Sequence, residues 1–114
     1  MPLANQKCIP CQGGIPPMTR DKAEEFLAQT PGWTLDDEGI RISRHFKFKN
    51  FKQALAFVNA LGEAAEGEGH HPDMALGWGY VTVDFFTHKI KGLHENDFIM
   101  AAKANALYDQ ADKA

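Results

Sequence analysis

The sequence is poor in cysteine, has no excess of positive charge and contains no long apolar run. Its 114 residues include two cysteines, Cys8 and Cys11, in one Cys-x-x-Cys. A four-ligand zinc site needs a second pair, and the chain has none. A thioredoxin-like motif needs a helix directly behind it, whereas Gly13-Gly14-Ile15-Pro16-Pro17 follows here. The expectation is therefore two unremarkable thiols, set against a metal site completed by a second subunit or a redox role. The 12 basic and 15 acidic residues sum to −3. That balance argues against a nucleic-acid or anionic-membrane partner, either of which needs a basic surface. No stretch approaches the ~18 consecutive apolar residues of a transmembrane helix. Met1 to Gln12 lacks the basic-then-apolar pattern of a signal peptide. These absences predict a cytoplasmic protein. Internal repeats, a Gly-rich phosphate loop and a Ser/His/Asp signature are missing as well.

What is present is the composition of an ordinary globular domain, 44% apolar and 24% charged. Residues 1–17, rich in proline and glycine, read as an irregular leader to one domain over 18–114. Thr19 can cap a first helix with Ala23, Phe26 and Leu27 on one face, ended by Pro31-Gly32. Trp33 to Leu35 read as a short strand and Asp36 to Gly39 as a turn. Ile40, Ile42, Phe46 and Phe48 then alternate with polar residues, the pattern of a half-buried strand. Arg44 interrupts that apolar face and suggests an edge or an interface.

Asn50 and Gln53 resemble a capping box for a second helix, with Phe51, Ala54, Leu55, Val58, Leu61 and Ala65 at helical spacing. Gly67 and Gly69 are expected to close it. Asp73 to Trp78 form a third strand and Tyr80 to His88 a fourth, with Val81, Val83 and Phe85 on one face. His94 stands at the cap of a last helix that runs to about Ala111. The order α-β-β-α-β-β-α predicts an α+β fold, a four-stranded antiparallel sheet covered on one face by helices.

Four of the five histidines, His70, His71, His88 and His94, fall within 25 residues, with Asp97 close behind. Histidine titrates near neutral pH, so a cluster at one rim suits proton transfer in both directions. Blander roles compete with this. Asp97 at the third helical position can simply accept the His94 backbone N–H, and His88 can be a solvated strand end. A zinc or non-haem iron site is disfavoured, because His70 and His71 are adjacent and point to opposite faces of an extended segment. No metal is expected.

Glu66, three residues, His70-His71-Pro72, five residues, Trp78, nine residues, His88, eight residues, Asp97: this spacing resembles the signature of the pterin-4a-carbinolamine dehydratases. Thr87 to Leu93, running into Asp97-Phe98 and Ala101-Ala102-Lys103, is similar to that family's strand-to-helix junction. So are Phe46 to Phe51, Ala56-Phe57, the leader's Cys-x-x-Cys-x-Gly-Gly and Pro31-Gly32-Trp33, so the likeness runs from about Cys8 to Leu107. His94 departs from it, since such proteins usually carry Ser or Thr at that cap. The resemblance implies the same α+β fold and self-association through sheet edges into dimers or tetramers. It implies loss of water from a 4a-hydroxytetrahydropterin, the step that recycles tetrahydrobiopterin for aromatic amino-acid hydroxylases, with no cofactor. By matching positions, His70 and His88 would be the acid/base pair and Asp97 would orient a histidine. His71 would bind the pterin with Gly69, Pro72, Phe86, Thr87 and Lys89, and Glu66 would support the loop. Two other roles accompany the family: a dimerisation cofactor of a transcription factor, and a dehydratase-like protein for another pterin.

Overall fold

The computed structural model describes residues 2–9 and 15–111. Helix α1 spans Arg20–Leu27, α2 Phe51–Glu68 and α3 Glu95–Gln110; strands are β1 Thr34–Leu35, β2 Ile42–Lys47, β3 Asp73–Gly77 and β4 Tyr80–Phe85. The sheet order is β1-β2-β4-β3 and every pairing is antiparallel. This is the expected α+β architecture, two hairpins joined through their central strands. Ile42, Phe46, Val81, Val83 and Phe85 point inward from β2 and β4 and are buried. Ala54, Phe57, Leu61 and Ala65 of α2 meet them, with Phe98 to Ala102 of α3. Burying such apolar area at roughly 25 cal/mol per Å² is the main force holding the layers together.

Caps fix the helix starts. The Thr19 hydroxyl accepts the Lys22 N–H, and Asn50 Oδ1 accepts the Gln53 N–H at 2.9 Å. Only one of the two glycines expected to close α2 does so. Gly67 continues it, and Gly69 alone terminates it in the left-handed conformation at φ 68°. The Gly69 N–H then bonds Glu66 O and the His70 N–H bonds Ala65 O at 3.2 Å, a Schellman motif. An L-residue with a Cβ would be strained at that φ. The glycine thus sets where His70 leaves the helix.

Two local expectations need correction. Strand β4 stops at Phe85 rather than His88, because Ile42↔Phe85 is its last pairing with β2. Beyond it an isolated Thr87↔Gly92 bridge closes a loop holding a 3-10 turn, His88–Ile90. Neither does β2 extend from Ile40 to Phe48. Arg44 lies on β2 just past its two-residue pairing with β1, so one side of the strand is a local sheet edge there, as expected. Its guanidinium sits 4.5 Å over the Phe46 ring and 5.2 Å over Tyr108, and donates to Pro31 O and Asn105 Oδ1. Cation–π contact lets a charge share an aromatic face.

Residues 2–9 dock on the domain. A 3-10 turn, Leu3–Asn5, packs on α3, Leu3 is buried, and Lys103 Nζ donates to Ala4 O at 2.8 Å. The domain boundary expected after residue 17 thus has chain packed on both sides of it. Among the described residues no helix is long and apolar enough to cross a membrane.

Candidate active site

The carboxylate of Asp97 is wholly buried, and a buried charge survives only if its lone pairs are used. Here they are. Oδ1 accepts from His70 Nε2 at 2.6 Å; Oδ2 accepts from the Thr87 hydroxyl at 2.7 Å and the His94 backbone N–H at 3.0 Å. Asp97 therefore fills both of the roles that its position suggested, helix cap and histidine partner. A carboxylate only accepts, so the bond to Oδ1 keeps the His70 proton on Nε2 and leaves Nδ1 as the ring's accepting nitrogen. The His70 ring lies nearly parallel to Phe85, 13° between planes and 6.2 Å between centroids. Its side chain is 11% exposed, so one edge alone meets solvent.

A cleft of about 460 Å³ opens above this pair, within the range typical of small-molecule sites. It is lined by the 69–73 segment and the 86–89 segment. Its walls thus hold Gly69, His70, His71, Pro72, Phe86, Thr87, His88 and Lys89. Asp97 lies beneath the cleft, and Glu66 stands outside it. Glu66 Oε2 accepts from His71 Nε2 at 2.8 Å in an exposed pair. His88 is exposed on the 3-10 turn, its ring 4.1 Å from that of Phe86. Adjacent His70 and His71 do diverge, one down to Asp97 and the other out to Glu66.

Sequence reasoning did not foresee three features. The Thr87 side chain is turned to Asp97 and buried, although Thr87 lines the cleft as expected. Arg41 lies 4.7 Å over the Phe86 ring and 3.8 Å from Asp73, at the cleft's margin. Asn96 is buried and holds Ile9 by both backbone groups.

The cap itself is unusual but competent. His94 Nδ1 accepts the Asn96 N–H at 3.0 Å, while Asp97 accepts the His94 N–H. Replacing His94 by serine is expected to keep Tm close to the parent. Alanine is expected to cost about 1 kcal/mol, the usual scale for a lost cap. Equal melting of the two variants would contradict a capping role.

Among the described residues no group of three or more histidine, cysteine and acidic side chains is arranged for a metal ion. The Cys11 half of the Cys-x-x-Cys lies outside the described residues. Burial, and then the Glu68 carboxylate, push the Cys8 thiol up from 9.0 to about 11. A Cys11→Ser protein should therefore alkylate at pH 8 about 100-fold more slowly than a free thiol, since the thiolate is the nucleophile. The same shift should cost stability as pH climbs from 9.0 toward 11, where the unfolded chain releases a proton that the folded one keeps. Alkylation at the rate of free cysteine would refute both.

Comparison with known proteins follows the same lines. The family model for pterin 4 alpha carbinolamine dehydratase matches residues 16–107. An Azoarcus protein provisionally named as a pterin-4-alpha-carbinolamine dehydratase is 56% identical over 105 residues, 92% of this chain and 90% of that one. A Halorhodospira halophila protein of the same provisional name is 57% identical over 107 residues, 94% of this chain and 98% of its own. Among solved structures, a transcriptional coactivator/pterin dehydratase from Brucella melitensis is similar at a TM-score of 0.76. It is 35% identical, covering 80% of this chain and 97% of that one. A pterin dehydratase-like protein described as a RuBisCO assembly factor in the alpha-carboxysome matches at a TM-score of 0.59 and 26% identity, over 68% and 92% of the two chains.

Proposed function

Because the chain belongs to the pterin 4 alpha carbinolamine dehydratase family, we propose that it removes water from a 4a-hydroxytetrahydropterin to give the quinonoid dihydropterin. The observation that carries this reading is the buried His70–Asp97 pair at the floor of a cleft walled by His71 and His88. The 4a-hydroxyl sits on a carbon next to a ring nitrogen. An acid protonates that hydroxyl, the nitrogen lone pair moves in as the C–O bond breaks, and water departs. A base then takes a proton from the ring system. His70 and His88 are the acid/base pair. Asp97 fixes the His70 tautomer and supports its positive charge while the proton is in transit. His71 orients the pterin, with Gly69, Pro72, Phe86, Thr87 and Lys89 along its edge, and Glu66 steadies His71. The reaction needs neither an oxidant nor a metal. Tetrahydrobiopterin recycling is the process that the product serves.

The test is turnover of synthetic 4a-hydroxytetrahydropterin by purified protein treated with a chelator. Quinonoid product formed faster than in buffer is the expected result. Activity lost on chelation and restored by zinc would overturn the metal-free mechanism, and no acceleration at all would overturn the dehydratase reading.

We also propose self-association through sheet edges. β3 is an edge strand of five residues, and Trp78 beside it is 73% exposed. Unpaired edges and large exposed aromatics favour pairing with another copy. Sedimentation of the purified protein should give an oligomer, and a lone 12.7 kDa species at micromolar concentration would exclude one.

A further inference from the structure

The His70–Asp97 hydrogen bond spans a gap between two helix ends. His70 follows the C-terminus of α2 by two residues, and Asp97 lies in the first turn of α3. The two helices share the core, and the pair requires their ends to hold a separation of 2.6 Å between His70 Nε2 and Asp97 Oδ1 across that gap. A second tie crosses it in parallel. The Cys8 N–H donates to Glu68 Oε1 at 2.7 Å, at the end of α2. One residue on, the Ile9 N–H donates to Asn96 Oδ1 at 3.0 Å, and Asn96 Nδ2 donates back to Ile9 O at 2.6 Å. Glu68 stands two positions before His70, and Asn96 stands immediately before Asp97.

The tie is anchored further along. Leu3 is buried in the core cluster and Lys103 Nζ holds Ala4 O on α3. Asn96 is 2% exposed, so the amide that reads Ile9 has no access to replacement water. Its two bonds to one residue's backbone reproduce a rung of a β-ladder, a directional contact that fixes both distance and orientation. Docking that served only to cover apolar surface would call for Leu3, Ala4 and Cys8 but not for the polar grip on the backbone of Cys8 and Ile9.

We propose that residues 2–9 act as a strap that positions the acid/base pair, with Glu68 and Asn96 as the positioning residues that transmit its hold to His70 and Asp97. This rests on the dehydratase reading for its effect on rate, though not for its effect on the geometry of the pair. Small displacements of a proton-transfer group are costly, because reacting atoms must sit within a few tenths of an ångström of their productive distance.

The experiment uses the full chain, with Glu68→Ala and Glu68→Gln made alone and in an Asp97→Asn background. Glutamine keeps an oxygen that accepts the Cys8 N–H, and alanine does not. Glu68→Ala is expected to lower kcat by about 10-fold with KM little changed, and Glu68→Gln to restore most of the loss. In the Asp97→Asn background the alanine change should have no further effect, since the pair it supports is already broken. Nitrogen-15 spectra of the histidines give a readout independent of turnover. The Nε2–H proton of His70, held on Asp97, should be sharp and downfield in the parent, and broadened or lost in Glu68→Ala. Unchanged kcat and an unchanged His70 signal in Glu68→Ala would overturn the strap. So would a lowered Tm with both retained, which describes a merely structural tether. A parent that turns over no 4a-hydroxytetrahydropterin would sink the dehydratase reading, and the His70 signal would still decide the strap.

Discussion

Substitution of His70 by alanine is expected to lower kcat by ~10²–10⁴-fold, the usual worth of a positioned proton-transfer group. Three observations set that expectation. The ring is 11% exposed and stacked on Phe85, so it has one orientation. Its Nε2 is committed to Asp97, so its Nδ1 is the nitrogen left to meet a substrate hydroxyl. It also lines the cleft, with His71 and His88 in the same walls. Stability should fall too, by about 1–3 kcal/mol, because Asp97 Oδ1 loses its partner in a buried place. His71 provides the contrast. It is 60% exposed and pairs with a Glu66 that is 75% exposed, a contact worth ~0–1 kcal/mol at most. His71→Ala should leave Tm unchanged and raise KM more than it lowers kcat. His88→Ala should behave like His70→Ala in rate and like His71→Ala in stability, since His88 is exposed and its ring rests against Phe86. If all three variants raise KM by similar factors and leave kcat intact, the histidines bind and do not catalyse.

The contrast between neighbours also explains what the sequence made legible. Adjacent residues in an extended segment point apart, so His70 and His71 could be assigned different surroundings before either was located. Alternation in Val81, Val83 and Phe85 fixed the inward face of β4 for the same reason, and the structure buries all three. An arginine on an apolar face reads as an edge because charge is costly inside; β2 is unpaired on its β1 side from Arg44 onward, and Phe46, Tyr108 and Asn105 share the guanidinium. Alternation continues past the end of β4 through Phe86 and His88, whereas a strand ends where its partner does, here at Ile42↔Phe85. Periodicity describes one chain segment; pairing needs two.

The strap was the least legible feature. Its bonds to Glu68 and Asn96 use the backbone of Cys8 and Ile9, which carries no side-chain signature. Pro16-Pro17 and the glycines suggested irregular chain, and irregular chain can still be ordered where buried partners satisfy its N–H and C=O groups. The family resemblance covers Cys8 and Cys11, yet a shared Cys-x-x-Cys says nothing about which main-chain atoms are gripped. In this chain the thiol is the less informative part of Cys8. Burial holds it in the protonated form, while the neighbouring N–H makes the shortest bond from the strap to α2.

Asp97→Asn is expected to cut kcat by ~10²–10⁴-fold while leaving Tm close to the parent. The size of the first effect follows from counting donors and acceptors. The carboxylate accepts three hydrogen bonds, one on Oδ1 from His70 and two on Oδ2 from Thr87 and the His94 N–H. An amide has one accepting oxygen and one donating nitrogen. With the oxygen placed in the Oδ2 position, the helix cap survives and the NH2 group faces His70 Nε2. That nitrogen must then accept, which moves the ring proton to Nδ1 and presents the wrong tautomer to the cleft. With the amide flipped, His70 keeps its tautomer, but the His94 N–H meets a donor and the start of α3 loses its cap. Thr87 adapts in either case, because a hydroxyl both donates and accepts. The cap orientation is the one expected to persist, since the backbone N–H cannot turn away and a histidine can exchange its tautomer cheaply. Neither orientation carries the negative charge that supports a protonated His70. Tm and kcat measured on one preparation of Asp97→Asn separate the outcomes. A near-parental Tm with kcat reduced at least ~100-fold is the expected pair. A clearly lowered Tm with parental kcat would make Asp97 a helix cap and nothing more, and the acid/base assignment of His70 would fall with it.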